Sequence, residues 1–247
     1  MDDGNLERVR DAWRQVLGAP AAFRETSTLV VTRPARPAPG PRWVTVVTLG
    51  DSRCVLVPAD LAATLDEHAG FDATTAGRLA DPTEARAMLG TGIAVLGPAV
   101  LAYTAAPATS SAPSTAEPAE PGDAGLDELG AACDPGDAAE SAMAAWTHWV
   151  HVIRERDLVV AAAGAQVWAG TLAHLGVLTR PDRRGRGLGA TVAGSVVRAA
   201  LSAGMVAQWR SRAELAASRR LASRLGFVEC GQQVSYQLPD PSRGGRR

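Results

Sequence analysis

The stretch VLTRPDRRGRGLGATVAGSVV, residues Val177 to Val197, places three glycines and four arginines between two apolar runs. The first run predicts a strand that ends near Thr179, because Pro181 cannot donate to a sheet ladder. The second run predicts a helix that begins directly after the glycines. The first turn of a helix has unpaired N–H groups and the positive end of the dipole, and glycine leaves both accessible. The junction therefore predicts a site for an anion, and a phosphate or diphosphate fits it.

The elements around this junction define a fold class. From Trp146 onward, the pattern of apolar and turn residues predicts the order β-β-β-α-β-α-β. Hairpins come first and one crossover follows, which is typical of a mixed, largely antiparallel sheet flanked by helices, an α+β domain. Upstream, a helix near 1–20, a hairpin around Gly50-Asp51 and two further helices, one at about 59–68 and one capped by Asp81, predict an extra N-terminal α/β region.

We divide the chain into three predicted parts. Residues 1–90 form a region of unknown role: a degenerate copy of the domain that follows, an acceptor-binding addition or a dimer surface. Residues 91–240 form the main domain, whose front half is completed by a strand in GIAVLGPAVLAYT and a helix near Asp123–Ala145. Residues 105–122 are rich in Pro, Ala, Ser and Glu and predict a low-complexity surface loop, PARPAPGP at 34–41 predicts a stiff connector, and 241–247 predict a disordered tail.

Composition excludes several kinds of site. The net charge is −1, which does not favour nucleic acid as a partner, and every basic residue other than histidine is arginine. Without lysine, neither a Gly-Lys-Ser/Thr phosphate loop nor a Schiff base is available. The three cysteines are widely separated and show no metal-ligand spacing, so we expect no metal. The polar N-terminus and the absence of a long apolar run predict a cytoplasmic protein without membrane contact.

A dinucleotide site is one alternative for the junction, because Gly185-x-Gly187-x-x-Ala190 matches the loose dinucleotide fingerprint. Five residues separate the strand from the first glycine, where a tight turn is wanted. The next strand ends in QWRSR without an acid for a ribose, and the chain that remains is short for a nucleotide-binding half-sheet. An NADP-binding oxidoreductase that uses Arg210 or Arg212 stays open as the weaker hypothesis.

Two motifs together carry a family resemblance. Arg184-x-x-Gly187-x-Gly189, followed about thirty residues later by SRRLASRLGF, resembles the GCN5-related N-acetyltransferase (GNAT) superfamily, and is most similar to its ribosomal-protein-type branch. The resemblance covers about Trp146 to Leu238. It implies an enzyme that transfers the acetyl group of acetyl-CoA to a primary amine of a small molecule, peptide or protein. It also implies direct attack in a ternary complex, and a monomer or homodimer.

The resemblance assigns the cofactor-binding residues by position. The strand residues would lie along pantetheine, mainly through their backbone, and the loop residues would hold the diphosphate. The strand set is Val177, Leu178 and Thr179, and the loop set is Arg184, Gly185, Arg186, Gly187, Leu188, Gly189 and Ala190.

The catalytic residues are less well matched. Positions where many family members carry glutamate, asparagine and tyrosine are Ala173, Leu215 and Ala222 in this chain. His174 is therefore the candidate base and Ser218 the candidate donor to the cofactor sulfur, although a packed histidine and a solvated helix serine are the structural alternatives. Glu140 and Ser141 are further candidates for the lining of an acceptor cleft. His148 and His151 lie in WTHWVHV, near tryptophans that could wall a pocket. The alanines also leave open a non-catalytic acyl-CoA-binding module with a regulatory role.

Overall fold

The computed structural model describes residues 2–33, 42–69, 71–106 and 115–239. The predicted connector at 34–41 and tail at 241–247 lie outside the described residues. The chain forms two compact units. Within the described residues, the larger unit comprises 2–12, 102–211 and 215–229, and the smaller unit comprises 13–101, 212–214 and 230–239. The domain boundary near residue 90 stays a prediction.

The described residues form helices and strands at the following positions. The helices are α1 (Asp3–Leu17), α2 (Ala59–Ala69), α3 (Ala73–Gly77), α4 (Pro82–Leu89), α5 (Ala124–Ala131), α6 (Pro135–Ser141), α7 (Leu188–Ser202) and α8 (Ala216–Arg224). The strands are β1 (Thr28–Arg33), β2 (Arg42–Leu49), β3 (Ser52–Pro58), β4 (Ala94–Thr104), β5 (Glu117–Pro118), β6 (His148–Glu155), β7 (Leu158–Trp168), β8 (Leu172–Thr179), β9 (Val206–Arg212) and β10 (Val228–Leu238). Short 3-10 turns lie at Arg78–Ala80, Met143–Ala145 and Pro181–Arg183.

The larger unit contains the sheet order β9-β8-β7-β6-β5, in which β8 and β9 are parallel and the other pairs are antiparallel. Alternate residues of these strands pack against α7 and α8 on one face, where Ala173, Leu175 and Val196 belong to one buried cluster. The opposite face is covered by α5, and Leu129 packs there with Leu178. Because both faces of the sheet are covered here, most residues of β7 are buried and apolar. The predicted α+β class, a largely antiparallel sheet flanked by helices, is confirmed.

The smaller unit contains the order β1-β3-β2-β10, with β1 parallel to β3. The predicted hairpin is confirmed, since β2 and β3 pair in an antiparallel manner around Gly50 and Asp51. The predicted cap is confirmed as well: the Asp81 carboxylate accepts hydrogen bonds from the backbone N–H groups of Thr83 and Glu84. Strand β1 was not predicted, because its few residues are only half buried and their partner β3 is distant in sequence.

Two predictions near the front of the main domain need correction. The single helix predicted near Asp123–Ala145 is interrupted, because Asp134 caps a new helix at Pro135 and Ala142 adopts a left-handed conformation with φ 48°. Part of the low-complexity segment 105–122 is ordered: Glu117 and Pro118 pair with β6, and Glu117 accepts a hydrogen bond from Arg154. Residues 107–114 of that segment lie outside the described residues.

Trp146 fixes the segment that follows α6 to the sheet. Its ring lies over Gly164 and Gly176, which are register partners on β7 and β8. Its Nε1 donates a hydrogen bond of 3.0 Å to the carbonyl oxygen of Ser141 at the end of α6. A side chain at either glycine would collide with this arrangement, so the glycines permit the helix end and the sheet to approach closely.

We expect Gly176→Ala to destabilise the protein by about 1–3 kcal/mol or more, because overpacking displaces neighbouring groups. A Cβ atom at this position would lie 2.0 Å from the Ser141 oxygen and 2.5 Å from Trp146 Nε1. Thermal unfolding measures the effect. Gly170→Ala, in a turn where a Cβ would meet nothing within 4 Å, is the control and carries only the strain of its φ of 64°. Equal losses in the two variants would contradict the close approach.

Candidate functional site

The junction between β8 and α7 has the geometry that an anion site requires. Strand β8 ends at Thr179, a 3-10 turn spans Pro181–Arg183, and α7 begins at Leu188. Gly185 and Gly187 have φ of 78° and 81°, a region that favours glycine. Gly187 is the N-cap residue and has no side chain to cap the first turn. A Cβ atom at either glycine would meet nothing within 4 Å, so there is open space beside the residues that precede the first turn of α7.

The third glycine of the loop has a packing role. A Cβ atom at Gly189 would lie 3.2 Å from Thr179 Oγ1 and 3.8 Å from side-chain atoms of both Val177 and Leu221. The first turn of α7 therefore lies close to the end of β8 and to α8. This contact places three predicted cofactor-binding elements together, namely the strand end, the loop and the helix start, and it includes α8 from the second sequence motif.

The arginines of the loop are paired with carboxylates. Arg184 donates to Asp137 of α6 at 2.8 Å and to the Thr179 carbonyl at 3.2 Å. Arg183 donates to Glu155 at 2.7 Å, and Arg186 lies 3.8 Å from the same carboxylate. Exposed pairs of this kind contribute little to stability, so the guanidinium groups can exchange their partners for a phosphate at low cost. The sequence analysis did not predict Asp137 or Glu155 as neighbours of the loop.

Strands β8 and β9 separate before β8 ends. Their pairing begins at Leu172 and Val206 and extends to Leu175 and Trp209, whereas β8 stays paired with β7 as far as Thr179. Residues 176–179 therefore present a sheet edge towards the β9 side. An extended chain with amide groups can pair with such an edge by backbone hydrogen bonds. Val177, Leu178 and Thr179, the residues predicted to lie along pantetheine, are on this edge.

His174 lies on β8, on the face opposite to Ala173 and Leu175. Its ring stacks against Trp168 with centroids 4.3 Å apart, and 9% of the residue is exposed. Burial, with a smaller effect of the Arg210 charge, lowers the pKa of His174 to about 3. The imidazole is therefore neutral at pH 7, and it is a weak base because so low a pKa leaves little driving force for accepting a proton.

Ser218 lies in the first turn of α8 and accepts a hydrogen bond of 3.0 Å from Trp209 Nε1. Trp209 belongs to the buried cluster under α7 and α8. Because the hydroxyl oxygen accepts from the indole, the hydroxyl proton is directed to another acceptor. Trp209 pairs with Leu175, the neighbour of His174, so His174 and Ser218 belong to opposite faces of the sheet. The structure does not bring them together as a catalytic pair.

The remaining sequence candidates have local or structural contacts. Ala173 and Ala222 are buried in the α7–α8 cluster. Ser141 donates from its hydroxyl to the Ala138 carbonyl. His148 Nδ1 lies 2.8 Å from Thr147 Oγ1, and His151 Nδ1 lies 3.1 Å from the Trp149 carbonyl. These histidines are held by their own strand.

Of two polar residues on β9, the sequence analysis missed Gln208 and considered Arg210 only for the NADP alternative. Gln208 is the register partner of His174 and is fully buried. Arg210 follows on the same face, and burial lowers its pKa while the charge of Glu140 on α6 opposes that effect. The sequence signal for Gln208 was its position inside the apolar run MVAQW. A polar side chain that a strand buries is expected to have a hydrogen-bond partner, so such a residue indicates a candidate site.

Residues 151–236 match the model of the GNAT acetyltransferase family. The matched segment is about a third of the chain, and it is similar to that family. The match includes β8, the glycine–arginine loop, α7 and α8, and it confirms the GNAT resemblance seen in the two motifs. No curated protein matches the sequence.

Three solved structures of GNAT proteins are similar to parts of the chain. The protein from Novosphingobium aromaticivorans is 22% identical, with a TM-score of 0.48 over 61% of this chain and 69% of that one. The acetyltransferase from Colwellia psychrerythraea is 11% identical, with a TM-score of 0.45 over 59% and 57%. The GCN5-related N-acetyltransferase from Kribbella flavida is 19% identical, with a TM-score of 0.44 over 68% of both chains.

Neither a cluster of metal-ligating side chains nor a membrane-spanning helix is present in the described part of the chain. Among those residues, no group of three or more His, Cys, Asp or Glu side chains is arranged to hold a metal ion. Within the same residues, every helix is too short or too polar to cross a bilayer.

Proposed function

We propose that this protein is an acetyl-CoA-dependent N-acetyltransferase that acts on a primary amine by direct attack in a ternary complex. The observation that supports the proposal most is the open N-terminus of α7, with its two left-handed glycines and its exchangeable arginines. The first-turn N–H groups of α7, together with Arg184 and Arg186, would bind the diphosphate. The open edge at residues 176–179 would pair with the amides of pantetheine.

Acetyl-CoA would supply an activated acetyl thioester when bound, and free coenzyme A would leave as the thiol. Ser218 Oγ, already accepting from Trp209, can donate its proton to a sulfur beside it as the thiolate leaves. His174 is neutral but weakly basic, so we infer that it orients groups by hydrogen bonding and that solvent takes the proton of the amine. Proximity of two bound reactants provides much of the acceleration in such a mechanism.

The test is direct. Calorimetry of the purified protein should show coenzyme A binding, with a dissociation constant in a range of about 1 µM to 1 mM that is usual for enzyme substrates. NADPH should bind more weakly, because five residues separate the strand from the first glycine, where dinucleotide binding uses a tight turn. Acetyl-CoA with a panel of primary amines should release free thiol. Binding of NADPH alone would contradict the proposal.

A second function is favoured by one observation. The low basicity of His174 and the buried alanines at 173 and 222 leave few proton carriers near the strand edge, which favours a non-catalytic acyl-CoA-binding module. Coenzyme A binding without thiol release for any amine would support that function. The likeness of Ser218–Phe227 to the ribosomal-protein-type branch, the cytoplasmic location and the monomeric or dimeric state stay predictions.

A further inference from the structure

Gln208 is a polar residue whose burial destabilises the folded protein. Its side chain is completely buried, and neither Oε1 nor Nε2 has a hydrogen-bond partner among the described residues. A buried amide without partners costs about 1–3 kcal/mol, and an apolar side chain of similar size would avoid that cost. Native proteins retain few such groups, and each calls for a ligand or another partner.

His174 is the second unpartnered group in the same place. It is the register partner of Gln208 on the neighbouring strand, and its Nδ1 is buried without a partner among the described residues. Gln166 follows in the same row on β7, but its Oε1 already accepts from Trp168 Nε1 at 2.9 Å. Among these three register partners on β7, β8 and β9, the buried atoms without a hydrogen-bond partner therefore belong to His174 and Gln208.

The position of this pair relates it to the proposed chemistry. Leu175 and Trp209 form the last register pair before β8 and β9 separate, so His174 and Gln208 lie one residue inside that point. If the diphosphate lies at the loop after Thr179, the pantetheine arm extends back along the edge at 176–179 towards this point. The pair then lies beside the place where the acetyl group and the amine must meet.

The charges nearby indicate which acceptors suit the site. Arg210 lies two residues from Gln208 on the same face of β9, and its charge contributes to lowering the pKa of His174. The charge of Glu140 acts in the opposite direction to burial on the pKa of Arg210. A second cationic group on the acceptor would be repelled by the Arg210 guanidinium. A side-chain amide both donates and accepts, so it complements an uncharged group that does the same.

We propose that Gln208 and His174 form the acceptor-binding subsite and select a primary amine that carries a neighbouring uncharged hydrogen-bonding group, an amide or a hydroxyl. This inference rests on the proposed acetyl transfer and deepens it by naming the class of acceptor. Both residues are specificity-determining, since they bind the acceptor beside its reacting nitrogen.

The experiment uses the full chain and five small amines of similar size: glycinamide, ethanolamine, propylamine, ethylenediamine and glycine. We expect kcat/KM for the amide or the hydroxyl to exceed that for propylamine by about tenfold to a hundredfold, the usual value of filling a buried unpartnered group. Glycinamide tests whether the site selects an amide, and ethanolamine tests whether it selects a hydroxyl. Highest activity with ethylenediamine or glycine would overturn the proposal.

The variant Gln208→Leu should remove the preference, so that the rates for glycinamide and ethanolamine fall to within about threefold of that for propylamine. It should also raise Tm, because an unsatisfied amide is replaced by an apolar side chain. The matched control is Gln232→Leu on strand β10, where the glutamine is exposed, and it should keep the wild-type pattern. A lower Tm for Gln208→Leu would overturn the proposal, since it would show that the amide is bonded within the fold.

Failure of this subsite is distinguishable from failure of acetyl transfer. Thermal shift with each amine in the presence of coenzyme A measures acceptor binding without turnover. Equal turnover of all five amines would refute the subsite and leave the proposed function standing. Gln208-dependent binding of glycinamide or ethanolamine without thiol release would refute the transfer and support the subsite. If neither binding nor turnover depends on the hydrogen-bonding group, the subsite is wrong.

Discussion

Gly187→Glu should weaken coenzyme A binding by about a hundredfold or more while the protein stays folded. The substitution places a carboxylate at the N-cap of α7, where the first-turn N–H groups would otherwise contact the diphosphate. An N-cap carboxylate accepts from those same N–H groups, and its charge repels the phosphates. Two lost charge-assisted hydrogen bonds of about 1.5–3 kcal/mol each account for the effect. Calorimetry measures it.

The matched control for this variant is Gly170→Glu. Gly170 has φ of 64°, and a Cβ atom there would also meet nothing within 4 Å, so the backbone strain and the added charge are comparable. It lies in the turn that precedes β8, at the other end of the strand from the loop. Coenzyme A binding should be close to wild type in this control. If the two variants bind alike, the helix N-terminus does not hold the diphosphate.

Acid should destabilise the protein through His174. The pKa of this imidazole is about 3 in the folded protein and 6.5 in an unfolded chain. Between these values the unfolded chain binds a proton that the folded protein does not, so stability falls as the pH is lowered from 6.5 towards 3. The expected loss is about 1.4 kcal/mol per pH unit, or about 2 kcal/mol at pH 5. Urea unfolding at several pH values measures it.

The variant His174→Phe should lose this contribution, and its stability should decline less steeply between pH 6.5 and 4.5 than that of the wild type. Carboxylates that titrate at lower pH are present in both proteins, so the difference isolates the buried ring. His148→Phe, which replaces an exposed histidine of β6, controls for the loss of a histidine as such. Parallel curves for wild type and His174→Phe would show that the ring is hydrated or charged in the folded state.

Helix α6 is adjacent to both parts of the candidate site. Its Asp137 accepts from Arg184 of the loop between β8 and α7, and the charge of its Glu140 acts on the pKa of Arg210, two residues from Gln208. Ser141, at the end of the same helix, is tied to the sheet through Trp146. In the proposed function, a diphosphate that attracts Arg184 would compete with Asp137, on the helix that also carries Glu140.

The sequence predicted the elements of the larger unit well where local signals were strong. The β8–loop–α7 junction combines a strand ended by proline, glycines and a helix start, and each of these signals depends only on adjacent residues. The prediction of one helix near Asp123–Ala145 was wrong, because α5 ends at Ala131 and Asp134 caps a new helix at Pro135. Ala142 then ends α6 in a left-handed conformation that alanine disfavours, which a local pattern does not predict.

The sequence by itself determined the presence and order of the anion loop, because left-handed backbone and an open helix N-terminus are properties of neighbouring residues. Only the tertiary structure decided the electrostatics of the site. Asp137 and Arg184 are 47 positions apart and pair through the fold, and burial keeps His174 neutral. The unpartnered state of Gln208 likewise depends on which strands lie beside it. Burial and charge depend on groups that the chain brings together from distant positions, and they set what the loop and the strand edge can bind.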